Sequence, residues 1–461
     1  MPRNRKSANQ RKSRVHPSRT IIFSFLGVIV LGWILLSLPQ ASREAPLSLV
    51  DSLFTATSAT CVTGLIVVDT GSRFTAFGQV VILALVQLGG LGIMTFSSFF
   101  LIVMGRRLSI KHRLVIQQSL SQVPRKDMFR LVKYVLGLTL LSEALGALLL
   151  YWRFIRIYPS HQAVYHAIFH SVSAFCNAGF SLYRTSFVGF QDDIWVNLVM
   201  IGLIVFGGLG FFALADVNVF GRLAGSRSVR RLSLHTKIVF TVTVILIVTG
   251  TLLVLLLEWQ NTLADKCFGV KLLASFFQSV TARTAGFNTL LTDRLTNASL
   301  LLVIILMFIG ASPGSTGGGI KTSTFGILIA LMLARLKGRR NVELFHRTIP
   351  LAIVATAISV AALALITVAL VTMILSVTEG GLGSDRAGRG KFLELLFETT
   401  SAFGTVGLST GVTPNLTTLG KILISITIFV GRVGPLTLAL AVGQRQIGRS
   451  FEYPEENVMV G

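Results

Sequence analysis

Four short stretches of this chain share a pattern suited to one kind of chemistry. Residues 58–65 read SATCVTGL, 173–180 SAFCNAGF, 280–287 VTARTAGF and 401–408 SAFGTVGL. Their glycines, Gly64, Gly179, Gly286 and Gly407, are 115, 107 and 121 residues apart. A phenylalanine stands four residues ahead of each stretch, at Phe54, Phe169, Phe276 and Phe397. The residues leading to the glycines, Cys61-Val62-Thr63, Cys176-Asn177-Ala178, Thr284-Ala285 and Gly404-Thr405-Val406, are small and uncharged, and no stretch holds an acid. A cation met there finds only backbone carbonyls and Thr or Asn oxygens, and glycine permits the dihedrals and close approach that aim several carbonyls at one point. Such a site suits a monovalent ion, because a divalent one calls for carboxylate oxygens.

A second constellation is the run Gly310-Ala311-Ser312-Pro313-Gly314-Ser315-Thr316-Gly317-Gly318-Gly319, which interrupts an apolar segment, 298–334, too long for one span. It is not a nucleotide loop: Ile320 separates Gly319 from Lys321, no strand precedes it and apolar runs flank it. Broken helices near a membrane's midplane are where transporters place ions and gates, so this run with Lys321 is a candidate gate, a flexible kink being the alternative. Arg432 stands where two earlier segments carry Gly90 or Gly208. An arginine at membrane depth is costly and faces the interior, where it either repels cations and bonds the carbonyls of the 310–319 run or makes a structural ion pair. Arg283, Glu398 and Glu143 also need partners, and Arg283 is expected to pair with Glu398. His161, His166 and His170 can share a helical face but lack a further metal ligand. Cys61, Cys176 and Cys267 form neither a disulfide framework nor a metal spacing. With no Ser/His/Asp set, paired acids or zinc pattern in view, the chain reads as no enzyme, with no metal beyond the transported ion.

The elements that position these residues follow from composition. The 461 residues are 52% hydrophobic and 13% charged, with a mean hydropathy of +0.73, which excludes a soluble globular chain. Stretches such as 20–42, 74–105, 238–257, 295–320 and 348–378 hold no Lys, Arg, Asp or Glu, and each matches or exceeds the roughly 20 residues a bilayer span needs. The Lys and Arg residues fall into blocks: seven within residues 1–19, then Arg106 to Arg130, Arg222 to Lys237, Arg335 to Arg347, and Arg445 with Arg449. The positive-inside rule places both termini and all these loops in the cytoplasm. The net charge of +23 therefore orients the protein or docks a partner or anionic lipid, rather than binding nucleic acid. The first apolar run reads as a retained helix, being longer than a signal peptide's apolar core.

One unit thus occurs four times. First helices are predicted near 21–38, 132–152, 238–258 and 349–376, and second helices near 76–103, 194–220, 298–334 and 418–444. Short amphipathic helices near 49–60, 164–175, 271–282 and 391–403 are too brief to span and must be re-entrant. The boundaries are a tail 1–19, repeat 1 at 20–105, a loop 106–131, repeat 2 at 132–221, a loop 222–237, repeat 3 at 238–334, a loop 335–347, repeat 4 at 348–445 and a tail 446–461. Non-helical backbone survives at membrane depth only where protein buries it or it lines a watery path, so the four stretches should converge on one axis. The short helices would aim C-terminal ends, each worth roughly half a negative charge, at that point. The expected fold class is an all-α polytopic membrane protein of four fused helix–pore-loop–helix repeats around a pseudo-fourfold ion pore.

Four two-helix units, each with a pore loop and one filter glycine, resemble the Trk/Ktr/HKT superfamily of cation transporters, which itself resembles four fused potassium-channel subunits. The resemblance covers about residues 20–445. With no extra helix pair ahead of the first unit, the chain is more similar to the KtrB type than to the TrkH type. Glycine at all four filter positions is similar to potassium-selective members, whereas sodium-preferring plant relatives carry Ser in the first loop. The resemblance implies potassium uptake, commonly aided by sodium, across the plasma membrane (the cell inner membrane), with a sodium-selective or less selective transporter as the alternative. It implies that the 310–319 run obstructs the pore just below the filter and that Arg432 belongs to the gate. It further implies a homodimer in the bilayer, seated on a KtrA-type cytosolic ring of nucleotide-binding subunits. The basic loops near 104–130, 222–237 and 335–347 are the candidate contacts for that ring.

Overall fold

The computed structural model describes residues 17–92, 128–217, 232–380 and 391–434. Expectations for both tails, the end of the repeat 1 second helix, most of the 106–131 and 222–237 loops and the chain beyond 434 lie outside the described residues. The first unit comprises α1 (Pro17–Ser37), α2 (Leu49–Thr60), α3 (Thr70–Arg73) and α4 (Ala76–Gly90). The second comprises α5 (Met128–Phe154), α6 (Ser160–Phe175), α7 (Ile194–Leu209) and α8 (Phe211–Val217). The third comprises α9 (Leu234–Glu258), α10 (Phe268–Thr281), α11 (Asn297–Phe308) and α12 (Thr322–Leu336). The fourth comprises α13 (Leu351–Gly380), α14 (Lys391–Gly404) and α15 (Thr418–Val433). A small hairpin of β1 (Glu343–Leu344) and β2 (Arg347–Thr348), pairing Glu343 with Thr348, joins the last two units.

Local sequence explains where the helices begin. Each second helix is capped by a side-chain oxygen that accepts from a backbone N–H three residues on: Thr75 from Gly78, Asp193 from Val196, Thr296 from Ser299 and Thr417 from Gly420. Such a cap contributes about 1 kcal/mol and sets the starting residue. Among the described residues, Lys133–Phe154, Leu234–Glu258 and Leu351–Gly380 are long and apolar enough to cross a bilayer by themselves. Their apolar side chains, among them Leu148, Leu256, Leu365 and Met373, are exposed, as a surface in contact with lipid requires.

Packing closes the four units into a cycle. Each short helix lies on the first helix of its own unit, α2 on α1, α6 on α5, α10 on α9 and α14 on α13. Each second helix packs against the short helix of the next unit, α4 on α6, α7 on α10, α11 on α14, and α15 back on α2. A fully buried phenylalanine from each short helix sits in these contacts, at Phe54, Phe169, Phe277 and Phe397. In the third unit the buried ring is therefore Phe277 and not Phe276, which is only partly buried.

The second helix of repeat 2 is not the single span expected over 194–220. It bends by 95° between α7 and α8, at Gly210 with φ 87°. Gly92 and Gly434 take the same left-handed turn, with φ 72° and 89°. A residue in that conformation cannot propagate a right-handed helix. In the first, second and fourth units α4, α7 and α15 thus end at a left-handed glycine, and the third unit carries a long loop between α11 and α12.

Candidate ion pathway

The four glycine stretches meet. A Cβ added to Gly64 would strike the Ala178 carbonyl and Gly179, and one on Gly179 would reach the Ala285 carbonyl and Gly286. From Gly286 it would strike the Val406 carbonyl and Gly407, and from Gly407 the Thr63 carbonyl and Gly64. The contacts run in order through the four units and return to the first, which defines a closed ring. All four glycines are left-handed, with φ of 90°, 71°, 79° and 93°. Two residues earlier, Val62, Asn177, Thr284 and Thr405 are left-handed as well, at 57°, 58°, 71° and 48°. For β-branched Val and Thr that conformation is a true outlier, worth about 1–3 kcal/mol of strain and found mostly where function demands it.

Hydroxyls clip each loop to its short helix. Ser58 Oγ accepts from the Gly64 N–H at 3.1 Å and donates to the Leu65 carbonyl at 2.8 Å. Ser173 Oγ donates to the Phe180 carbonyl at 2.7 Å, and Ser401 Oγ accepts from the Gly407 N–H at 3.1 Å. In the third unit the clip is Thr281, whose Oγ1 donates to the Phe287 carbonyl at 2.7 Å. Thr281 lies five residues before its glycine, whereas Ser58, Ser173 and Ser401 lie six before theirs. Together with Phe277, this shows that the third connection is one residue shorter. The hydroxyls of Thr63, Thr284 and Thr405 in the ring are buried with no protein partner. Cys61, Cys176 and Gly404 sit at or next to the C-terminal ends of their short helices, each three residues before its ring glycine.

The 310–319 loop lies against the short-helix ends of this ring. A Cβ on Gly317 would meet Thr284 Oγ1, one on Gly318 would meet Thr405 Oγ1, and Gly319 approaches Gly404. Thr316 Oγ1 is 3.4 Å from the Phe175 carbonyl and 3.2 Å from the Gly207 carbonyl. The Asn177 amide is satisfied when its oxygen faces Thr316 Oγ1 at 3.2 Å and its nitrogen faces the Ala174 and Ile204 carbonyls. Ser312 N–H donates to the Gly208 carbonyl at 3.1 Å, Phe211 N–H to Gly314 at 3.0 Å, and Ser315 Oγ to Ser312 at 2.6 Å. The loop ends are joined by a bridge between Ile309 and Ile320, with Gly310 against the Gly318 carbonyl and Pro313 against Gly210.

Two cations hold this loop. Lys321 Nζ donates to the Gly317 carbonyl at 2.7 Å. The Arg432 guanidinium donates to the carbonyls of Thr316 and of Gly89 in α4, tying the loop to the first unit. Arg432 makes no ion pair among the described residues, which disposes of that alternative there.

The expected Arg283–Glu398 pair does not form. Arg283 reaches Thr243 Oγ1 at 3.4 Å, while Glu398 accepts from Ser409, Thr410 and Thr413 in its own unit. Glu143 accepts from Gln87 Nε2 at 3.2 Å, beside the Cys176 thiol. His170 Nε2 accepts the Leu182 N–H at 3.2 Å, so its Nδ1 donates to the His166 carbonyl and the ring is a neutral structural element. Among the described residues no group of three or more His, Cys, Asp or Glu could hold a metal ion. Gly89, Gly207 and Gly431 recur in the sequence as part of the unit, but that recurrence did not give their role: at each an added Cβ would strike a short-helix carbonyl, Thr60, Phe175 or Phe403. The signal was present as the first glycine of the recurring Gly-Gly-Leu-Gly and Gly-Arg-Val-Gly runs.

The profile described as "TrkH: Cation transport protein" matches residues 4–451. The Ktr system potassium uptake protein B of Bacillus subtilis is 39% identical over 97% of this chain and 97% of its own length. Its namesake from Vibrio alginolyticus is 40% identical over 98% and 96%. The potassium/sodium uptake protein NtpJ of Enterococcus hirae is 36% identical over 98% of both. The crystal structure of the potassium transporter TrkH from Vibrio parahaemolyticus superposes with a TM-score of 0.69 over 95% of this chain and 87% of that one, at 19% identity, a likeness of fold. The match over nearly the whole chain, on a ring built four times from one unit, places this chain in the TrkH family of cation transport proteins, which are transporters and not enzymes.

Proposed function

We propose that the ring is a potassium filter and that the protein takes up potassium across the plasma membrane, sodium stimulating the uptake. The observation that carries this is the closed ring of four left-handed glycines, each abutting the next loop's carbonyl. A dehydrated alkali ion on its axis meets main-chain oxygens at the negative ends of four short helices, with no carboxylate in the ring to favour a divalent ion. Filter ligands come from Cys61, Val62, Thr63 and Gly64; Cys176, Asn177, Ala178 and Gly179; Thr284, Ala285 and Gly286; and Gly404, Thr405, Val406 and Gly407. No covalent chemistry is needed, because the ion runs down its electrochemical gradient.

The 310–319 loop, pinned by Lys321 and Arg432, acts as the gate. It lies beneath three of the four loops and is tied to the fourth unit's Arg432, so permeation requires it to move. The subunit forms a homodimer and rests on a cytosolic nucleotide-binding ring, the name "Ktr system" of its relatives being that of a system with more than one part. Both termini are cytoplasmic and the repeat boundaries are those read from the sequence. Rubidium uptake into potassium-starved cells, with and without sodium, tests the function. Uptake that saturates with rubidium and rises with sodium is expected. Transport of sodium alone would transfer the assignment to a sodium-selective protein of the same architecture.

A further inference from the structure

Behind the fourth loop, Glu398 forms a clasp. It accepts from Ser409 Oγ, from the Thr410 N–H at 2.9 Å and from Thr413 Oγ1 at 2.7 Å, residues two, three and six beyond Gly407. His170 occupies the same helical position in the second unit, nine residues before its glycine as Glu398 is before Gly407. It takes the same partners in register: Ser181 Oγ at 3.1 Å and the Leu182 N–H at 3.2 Å, two and three residues beyond Gly179. Two chemically different side chains thus tie the exit of the loop to the helix that precedes it.

The one-residue shortening puts Gln278 at this position in the third unit. Two, three and six residues beyond Gly286 stand Asn288, Thr289 and Thr292, the last opening a 3-10 turn just as Thr413 does. None of these clasps closes. Gln278 Nε2 and Oε1, Asn288 Oδ1, Thr289 Oγ1 and Thr292 Oγ1 are all buried without a protein partner. Gln278, Thr289 and Thr292 are 1%, 0% and 2% exposed, so bulk solvent does not supply one. A bare cation cannot satisfy the Gln278 N–H donors, whereas a small group that both donates and accepts, as water does, can.

We propose, resting on the filter reading above, that this position is a specificity-determining post: Glu398 and His170 tie the exits of their loops directly and set ion preference, while the third loop, which keeps its Thr281 clip, lacks a direct tie at this post and contributes less. Preference between ions of different radius depends on how firmly the carbonyls are kept at one spacing, and a direct hydrogen bond, strongest when it goes to a carboxylate, holds more firmly than one relayed through solvent. These are positioning residues, since none of them touches the ion.

The test measures rubidium uptake and its competition by sodium in cells, normalised to the protein recovered in the membrane. Glu398→Gln is expected to lower the preference for rubidium over sodium by about tenfold, and Thr413→Val by roughly threefold. Thr292→Val, the same change at the register-matched position of the third loop, should move it less than twofold. Glu258→Gln is the control for a merely structural carboxylate: Glu258 accepts from Thr296, the N-cap of α11 four residues beyond Thr292, and makes no hydrogen bond to a post residue, so this change lowers the amount recovered and leaves the preference as it was. Unchanged preference in both Glu398→Gln and Thr413→Val, or equal losses in Thr292→Val and Thr413→Val, overturns the proposal. Gly407→Ala separates the two levels. If it abolishes preference while Glu398→Gln does not, the posts fail and the filter stands; if it too changes nothing, the filter reading itself fails.

Discussion

The ring and the layer against it are built on opposite principles. In the ring, four loops adopt one backbone conformation, with left-handed residues at the same two positions and contacts that close in order. Against it lies a loop from one unit alone, held by Lys321 and by Arg432 of the fourth unit, at a position where the first two second helices carry Gly90 and Gly208. Equivalence suits binding, since an ion on an axis is held best by oxygens at one distance. Asymmetry suits gating, since an element held at a few points can be released without disturbing the ring. The long loop between α11 and α12 of the third unit makes the difference.

The largest effect should come from breaking the ring. Gly286→Ala or Gly407→Ala adds a Cβ at φ 79° or 93° into a neighbouring carbonyl, so potassium preference should be lost. Rubidium against sodium flux in proteoliposomes measures it, and retained preference would mean that the four loops do not act as one site. Next comes the asymmetric layer: shortening 312–318 should raise rubidium flux by about tenfold or more with preference kept. Unchanged flux in a folded variant would remove the loop from the gate.

Arg432→Ala should act in the same direction and less strongly. It removes two charge-assisted bonds, each worth about 1.5–3 kcal/mol, but leaves the loop's backbone bonds to Gly207 and Gly208 in place. Flux that rises in the loop deletion and not in Arg432→Ala would mean that Lys321 and those bonds suffice to hold the loop. At Gly207→Ala the Cβ is driven into the Phe175 backbone carbonyl, and the effect falls on folding and not on selection: the thermal midpoint should drop by about ten degrees while the folded protein retains its ion preference. The smallest is Glu143→Gln, under twofold in uptake, because Gln87 and Cys176 are neutral partners that an amide can also serve.

Much of the fold was legible because the bilayer restricts it. Apolar runs of spanning length can only be helices, and short polar helices between them can only be re-entrant. The ring residues were legible from fourfold recurrence. What misled was counting residues without their backbone. Phe276 aligned with the other phenylalanines only because the third connection had lost a residue, which α10 reveals by burying Phe277 instead. The 194–220 run reads as one apolar segment, and only the left-handed Gly210 shows the bend. Arg283 and Glu398 were paired on charge alone, yet Glu398 is satisfied by hydroxyls and a backbone N–H close to it in space, while Arg283 reaches Thr243 Oγ1 and leaves its buried Nε without a protein partner among the described residues.

Sequence by itself determined the class, the four units and the residues at the meeting point, because hydropathy and repetition are properties of the chain order. Only the tertiary structure decided which carbonyl each glycine faces, that Arg432 holds two carbonyls and not an acid, and which post behind each loop is closed. The first two depend on contacts between units more than 100 residues apart, and the posts on how each loop folds back on its own helix. A backbone oxygen is present at every residue, and only packing selects the ones that serve.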